Sequence, residues 1–386
     1  HKSYLNRLPR FGQYNTVNLI ISQPLKKQAM QSYYSIASLS ARNRNLFYSV
    51  IPLRLVIPVV VGCWFSESSF GQSSSTYNVP LTEHGHPDLQ GLWSDQTRTP
   101  FERPTALGTK RNYTETEIAE LISAAQRAEE RTQQPLDAGR GAPPAGVTIT
   151  NQPDVNFNGF VTNYVPVNGE YRTSIIIEPE NGRLPYKDDP PMDIFAKRAA
   201  EGFGEFDGPE NRPPNERCLG IPGQLPLIMP LPIDGPWRNL QIVQNEDYVL
   251  IYGEYHVTAR IVRLNGSHQE PAYPKFYGDS IGYWEESTLV IHTKSFKPDQ
   301  SDRRLRSSRA LEVIERFTPV SPTEIVFEYQ IKDSEIYTER VTAQMTLQRM
   351  PEGQKLYESG CHEGNYSLPS ILAGARRQEA DARLAQ

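Results

Sequence analysis

Between residues 240 and 348 the chain carries eight short runs rich in β-branched and aromatic residues, at 240–244, 248–255, 258–264, 282–285, 288–294, 311–318, 324–331 and 341–348. A parallel neighbour needs a crossover of about a dozen residues or more, usually a helix. No helical pattern of that length separates these runs. The series therefore predicts a mainly-β fold, an antiparallel meander closed as a barrel or folded as a sandwich, with a few short helices. Short polar stretches at 245–247, 265–267 and 286–287 read as its turns, and Asn265-Gly266 between apolar runs is a strong hairpin signal.

Upstream of that region the texture is irregular. The 32 prolines in 386 residues exceed the ~5% average, so long connections are expected there. Gly91-Leu92-Trp93 opens a first strand, and residues 171–177 form another. A helix over 114–133 starts at the capping box Thr114-x-x-Glu117, with Ile118, Leu121, Ile122, Ala125 and Ala128 on one stripe. Residues 192–200 suit a short helix, and a terminal helix begins near Pro369. The organisation expected is an upstream segment over 1–71, an irregular part over 72–236, and the meander with its terminal helix over 237–386, the last two forming one folded unit.

The first 71 residues differ physically from the rest. They hold eight Lys or Arg against the single acid Glu67, a charge of +7 that leaves −12 on the remainder of a chain whose total is −5. An uncharged apolar run over 55–65 follows Arg42, Arg44 and Arg54. A bilayer span needs about 20 apolar residues, so the run predicts an export signal, not a stable membrane span. Small residues at Ser69 and Gly71 place its cleavage after Gly71, and Met30 is a candidate start. The alternative is a lipid anchor on Cys63, which closes a lipobox-like Val60-Val61-Gly62-Cys63. A periplasmic or secreted location is expected. Cleavage would leave two cysteines, Cys218 and Cys361, as candidates for a disulfide in an oxidising compartment.

The acidic body has no basic run, which argues against nucleic acid. Nucleophile-elbow, phosphate-loop and dinucleotide motifs are missing from the sequence, so no cofactor is expected. Glu83-His84-Gly85-His86-Pro87-Asp88 has ligand chemistry on a loop without the helical spacing of a hydrolytic zinc motif, and no metal is expected.

Alternation over 248–262, read as one strand, carries the most chemical information. Val249, Ile251, Tyr255, Val257, Ala259 and Ile261 occupy odd positions, so Glu254, His256 and Arg260 should share the opposite face. Facing a cavity, they could transfer a proton beside an anion clamp, with His256 as general acid/base, Glu254 orienting it and Arg260 holding an oxyanion. Facing water, they are the solvated side of a sheet. His362 beside Cys361 could join such a site. Gly91-Leu92-Trp93 and Gly282-Tyr283-Trp284 are two Gly-x-Trp motifs of the kind that starts a strand in lipocalin-like barrels. Trp284, Tyr255 and Tyr283 are candidate walls for an apolar or aromatic ligand. Asp279 and Glu285 add carboxylates that could contact a ligand or flank a glycosidic bond.

The stretches 85–94, 99–104, 216–226, 240–266, 278–296 and 357–376 resemble a family of exported bacterial proteins without an assigned activity. The resemblance covers most of 80–376 and implies export and a single folded unit. Its patterns fall here on Glu254, His256, Arg260, Asp279, Trp284, Glu285, Cys218, Cys361 and His362, while His84 departs from them. The functions expected are binding of a small ligand, hydrolase or lyase chemistry at the Glu254–His256–Arg260 cluster, or an interaction module built on the Pro-rich 188–236 segment. Oligomeric state is not legible.

Overall fold

The computed structural model describes residues 77–132, 139, 141, 163–220, 239–255, 258–298, 301 and 305–385. The strands are β1 (Gly91–Ser94), β2 (Ile176–Glu178), β3 (Asn239–Gln244), β4 (Tyr248–Gly253), β5 (Thr258–Leu264), β6 (Asp279–Glu285), β7 (Thr288–Lys294), β8 (Glu312–Ser321), β9 (Glu324–Lys332) and β10 (Val341–Arg349). The α-helices are α1 (Glu115–Thr132), α2 (Ile194–Ala200) and α3 (Ser367–Leu384). The candidate export segment, Cys63 and residues 142–162 and 221–238 lie outside the described residues.

The sheet runs β1-β3-β4-β5-β6-β7-β8-β9-β10 and returns from β10 to β1, a closed nine-strand barrel. The sequence left barrel and sandwich open; backbone pairing of Trp93 with Arg349 and Ser94 with Gln348 closes the barrel. β2 pairs with the other end of β10 through Thr342 and Ala343. Two strands from the irregular half of the chain therefore share the free edge of β10. Closure leaves no continuous open edge for another chain to pair with.

Pairing is antiparallel except between β5 and β6, which run parallel in the register Val262–Ser280, Arg263–Ile281 and Leu264–Gly282. Here the predicted hairpin at Asn265-Gly266 is corrected. A two-residue type I′ turn needs positive φ at both central residues. Asn265 adopts φ 53°, whereas Gly266 is not among the positive-φ residues. The Asn265 N–H donates instead to the Gly282 carbonyl at 2.8 Å, and the chain leaves through a loop over 265–278 that returns without a helix.

Alternate residues fill the barrel. Trp93, Phe317, Phe327 and Tyr329 are essentially inaccessible. Phe317 and Phe327 pack at 4.6 Å between ring centroids, and Phe327 and Tyr329 at 5.3 Å. Full burial of such side chains stabilises by about 1.5–3 kcal/mol each. Trp93 also donates its indole N–H to the Leu89 carbonyl at 2.9 Å, and the Arg349 guanidinium lies 4.3 Å over its ring. The first Gly-x-Trp motif therefore sits where the barrel closes.

The helices follow their local signals. Thr114 and Glu117 make the reciprocal capping box, with the Thr114 N–H donating to Glu117 at 2.8 Å and the Glu117 N–H to Thr114 Oγ1 at 3.3 Å. Ile118 and Ala125 are the buried members of the α1 stripe. Asp193 caps α2, its carboxylate accepting from the Ala196 N–H at 2.8 Å.

Gly282 faces into the barrel beside its parallel neighbour. A Cβ there would lie 2.8 Å from Val262 Cγ1 and 3.2 Å from the Val290 carbonyl. Gly282→Ala is expected to destabilise the protein by about 1–3 kcal/mol through overpacking, measured as a lower urea midpoint at unchanged m-value.

Candidate functional site

Glu254 and Arg260 do not lie on one continuous strand. The strand breaks after Gly253 and resumes at Thr258, so the four residues between shift the parity. Val249 and Ile251 point inward from β4, whereas Thr258, Arg260, Val262 and Leu264 point inward from β5. Ile261, expected inside, is 60% exposed. His256 lies outside the described residues.

Glu254 sits buried in the β4–β5 connection with both oxygens engaged. Oε2 accepts from Asn239 Nδ2 at 2.8 Å, and Oε1 accepts from the Tyr357 backbone N–H at 2.8 Å. It therefore ties the start of β3 to the chain after β10. Arg260 points into the barrel and makes a bidentate pair with Glu315 at 2.6 and 2.9 Å. Both side chains are buried, and Arg260 Nε has no hydrogen-bond partner. A forked guanidinium–carboxylate pair is strong once formed, yet desolvating both ions cancels much of the gain. Ser280 and Thr293 add a hydroxyl pair at 2.9 Å inside the barrel.

The chain beside the Cys218–Cys361 disulfide touches this end of the barrel. The Tyr277 hydroxyl donates to the Leu219 carbonyl at 3.0 Å, next to Cys218. Burial pushes the Tyr277 and Tyr255 phenols above their ordinary range. His362, adjacent to the disulfide, is exposed, whereas Glu254 and Arg260 are buried.

The three aromatic candidates do not form one wall. Tyr255 follows β4 at the disulfide end. Trp284 lies two residues beyond the Leu264–Gly282 pair, at the opposite end, where it stacks on His86 with ring centroids 5.7 Å apart. Tyr283 faces outward and is 43% exposed. His86 thus serves an aromatic contact, and among the described residues no group of three or more His, Cys, Asp or Glu could hold a metal ion.

Asp279 and Glu285 lie six residues apart on the outer face of β6, roughly 20 Å at ~3.3 Å per residue. Glycosidase carboxylates stand about 5–10 Å apart, so the glycoside reading falls. Glu285 pairs with Arg316 at 2.6 Å, and that hydrogen bond holds its carboxyl below the usual range. Asp279 is buried beneath the 265–278 loop. It accepts from both terminal nitrogens of Arg263 at 3.0 Å, from Lys275 Nζ at 3.0 Å, from the Gln269 N–H at 3.1 Å and meets His268 Nδ1 at 3.0 Å. Burial pushes this carboxyl up, and those donors, led by Arg263, outweigh burial and hold it far below the ordinary range.

Sequence reading missed Glu315, Arg349, His268 and His292. Glu315 was an ordinary member of the 311–318 run and Arg349 fell one residue past the 341–348 run, and their importance depends on which strand stands opposite. His268 stood alone just after the stretch 265–267 read as a turn. No family model, curated protein or solved structure shows similarity to this chain.

Two predictions test these ion pairs. Arg260→Met is expected to cost about 3–5 kcal/mol by stranding the Glu315 charge, and Arg260→Met with Glu315→Leu to recover most of it, read from urea unfolding of both variants. The low Asp279 carboxyl contributes stability that is present above its unfolded pKa of about 3.9 and lost as pH falls below that value. Asp279→Asn is therefore expected to lower the urea midpoint at pH 7 and to flatten its decline between about pH 4 and 2.

Proposed function

We propose that this is an exported barrel that binds a small molecule, with an acidic group of the ligand meeting Arg260 from the disulfide end. The observation that carries the reading is the unpartnered Nε of Arg260, on a residue only 3% exposed. A buried donor without a partner costs about 1–3 kcal/mol, more when charged, and a ligand acceptor would remove that cost. Arg260 is the second inward residue of β5 after Thr258, near the end where Tyr255 and Tyr277 supply aromatic surface for an apolar body. On this reading the ligand lies away from Trp284 and Tyr283.

Support for export comes from the Cys218–Cys361 disulfide, since such bonds persist in oxidising compartments. No helix among the described residues is long and apolar enough to cross a membrane. Gly91-Leu92-Trp93 opens strand β1, which supports the lipocalin-like reading of the barrel. Acid–base chemistry at Glu254 gains no such support, because two donors already occupy its carboxylate.

Naphthoate, an aromatic carboxylate, is a suitable probe. Calorimetric titration should show binding to the wild type and at least 10-fold weaker binding to the folded Arg260→Met/Glu315→Leu variant. Equal affinity in the two proteins would remove Arg260 from the site and end this reading.

A further inference from the structure

The loop that joins β5 to β6 across the outer wall has one inward anchor. From Asn265 to Tyr273 every residue is exposed except His268, whose side chain is 10% exposed. Arg263 holds the start of the loop, donating to the Ser267 carbonyl at 2.9 Å, and backbone bonds from Lys275 to Ser295 and from Lys297 to Lys275 hold its end. Between those points Asp279 Oδ2 meets His268 Nδ1 at 3.0 Å and the Gln269 N–H at 3.1 Å, and a loose Glu270–Lys294 pair spans 4.0 Å. On the other edge of its ring, His268 Nε2 lies 3.2 Å from His292 Nδ1 on β7, with the ring centroids 4.9 Å apart.

Two imidazole nitrogens at that distance need one donor and one acceptor. Two neutral rings meet the condition, and so does one charged ring beside a neutral one, whichever of the two carries the charge. Two charged rings cannot. An imidazolium has a hydrogen on both nitrogens, so N–H would face N–H and two cations would touch.

The carboxylates around the pair are already shared with other cations. Asp279 serves Arg263 of β5 and Lys275 of the loop, Glu270 faces Lys294 of β7, and Glu312 of β8 faces Lys332 of β9 at 3.6 Å as well as His292 at 3.7 Å. His292 Nε2 is buried without a hydrogen-bond partner, so a charge on this ring is poorly solvated. Burial first, then the charge of His268, holds the His292 imidazole below its ordinary value against the upward pull of Glu312.

We infer that the His268–His292 contact is an acid-released latch on the 265–274 loop. Closed, the two rings hold at most one charge; the second enters only when they separate. His292 sits on a strand paired on both sides, so the exposed loop is the part that gives way. Opening is therefore coupled to proton uptake. It is suppressed above the ordinary histidine value of about 6.5 and increasingly favoured as pH falls below it. Release bares Asp279 and His292 to water, and the outer wall of β6 and β7 presents a different surface in mildly acidic surroundings. The latch does not depend on a ligand inside the barrel.

Hydrogen–deuterium exchange of the full chain, corrected for the intrinsic effect of pH on amides, tests the latch. Peptides covering 265–274 should exchange at least 10-fold faster at pH 4.5 than at pH 7.5, while β8 and β9 stay protected and report an intact barrel. In His292→Gln the amide oxygen can accept from His268 whether that ring is neutral or charged, so the difference should shrink to about 2-fold or less. Equal exchange at the two pH values in the wild type, or acid opening of undiminished size in His292→Gln, would overturn the assignment.

Discussion

Closure between β1 and β10 is the contact on which the rest of the molecule depends. Only two residue pairs join these strands, Trp93 with Arg349 and Ser94 with Gln348. Arg349 reinforces them by stacking on Trp93 and donating from Nε to the Pro322 carbonyl at 2.8 Å. Because β1 lies far upstream of β3 in the chain, this short strand converts a curved sheet with two open edges into a barrel with a defined interior. The inward positions of all nine barrel strands acquire neighbours through that closure, including the aromatic cluster of Phe317, Phe327 and Tyr329.

Once the interior exists, polar groups inside it are constrained strongly. Arg260 and Glu315 meet directly inside the barrel, and neither could be buried alone without a large desolvation cost. The pair therefore behaves as a unit whose remaining open donor is a natural place for a third group. The outer histidine contact has a different origin. Parallel pairing of β5 and β6 forces a loop across the outer wall, and Asp279 gathers that loop through Lys275, His268 and the Gln269 backbone while Arg263 anchors it from β5. A hairpin at 265–267 would have left His268 far from His292.

The legible parts were those governed by near neighbours. The Thr114–Glu117 capping box, the α1 stripe and most strand runs were visible because hydrogen bonding and side-chain periodicity over a few residues determine them. The 248–262 reading failed for a specific reason. Alternation tells which residues share a face only while the strand is unbroken, and an interruption of four residues exchanged inside for outside at Arg260 and Ile261. Trp284, Tyr283 and Tyr255 were grouped by residue type, whereas strand register separated them to two ends and an outer face.

By itself, the sequence determined that the chain forms consecutive β-strands, where its helices begin, and that Cys218 and Cys361 were available to pair, since these are properties of local pattern and composition. Tertiary structure decided the barrel's closure, the parallel join of β5 to β6, the company of Arg260, and the meeting of His268 with His292. Those outcomes depend on which distant strands lie side by side and in what register, and residues dozens of positions apart become neighbours only when the sheet closes.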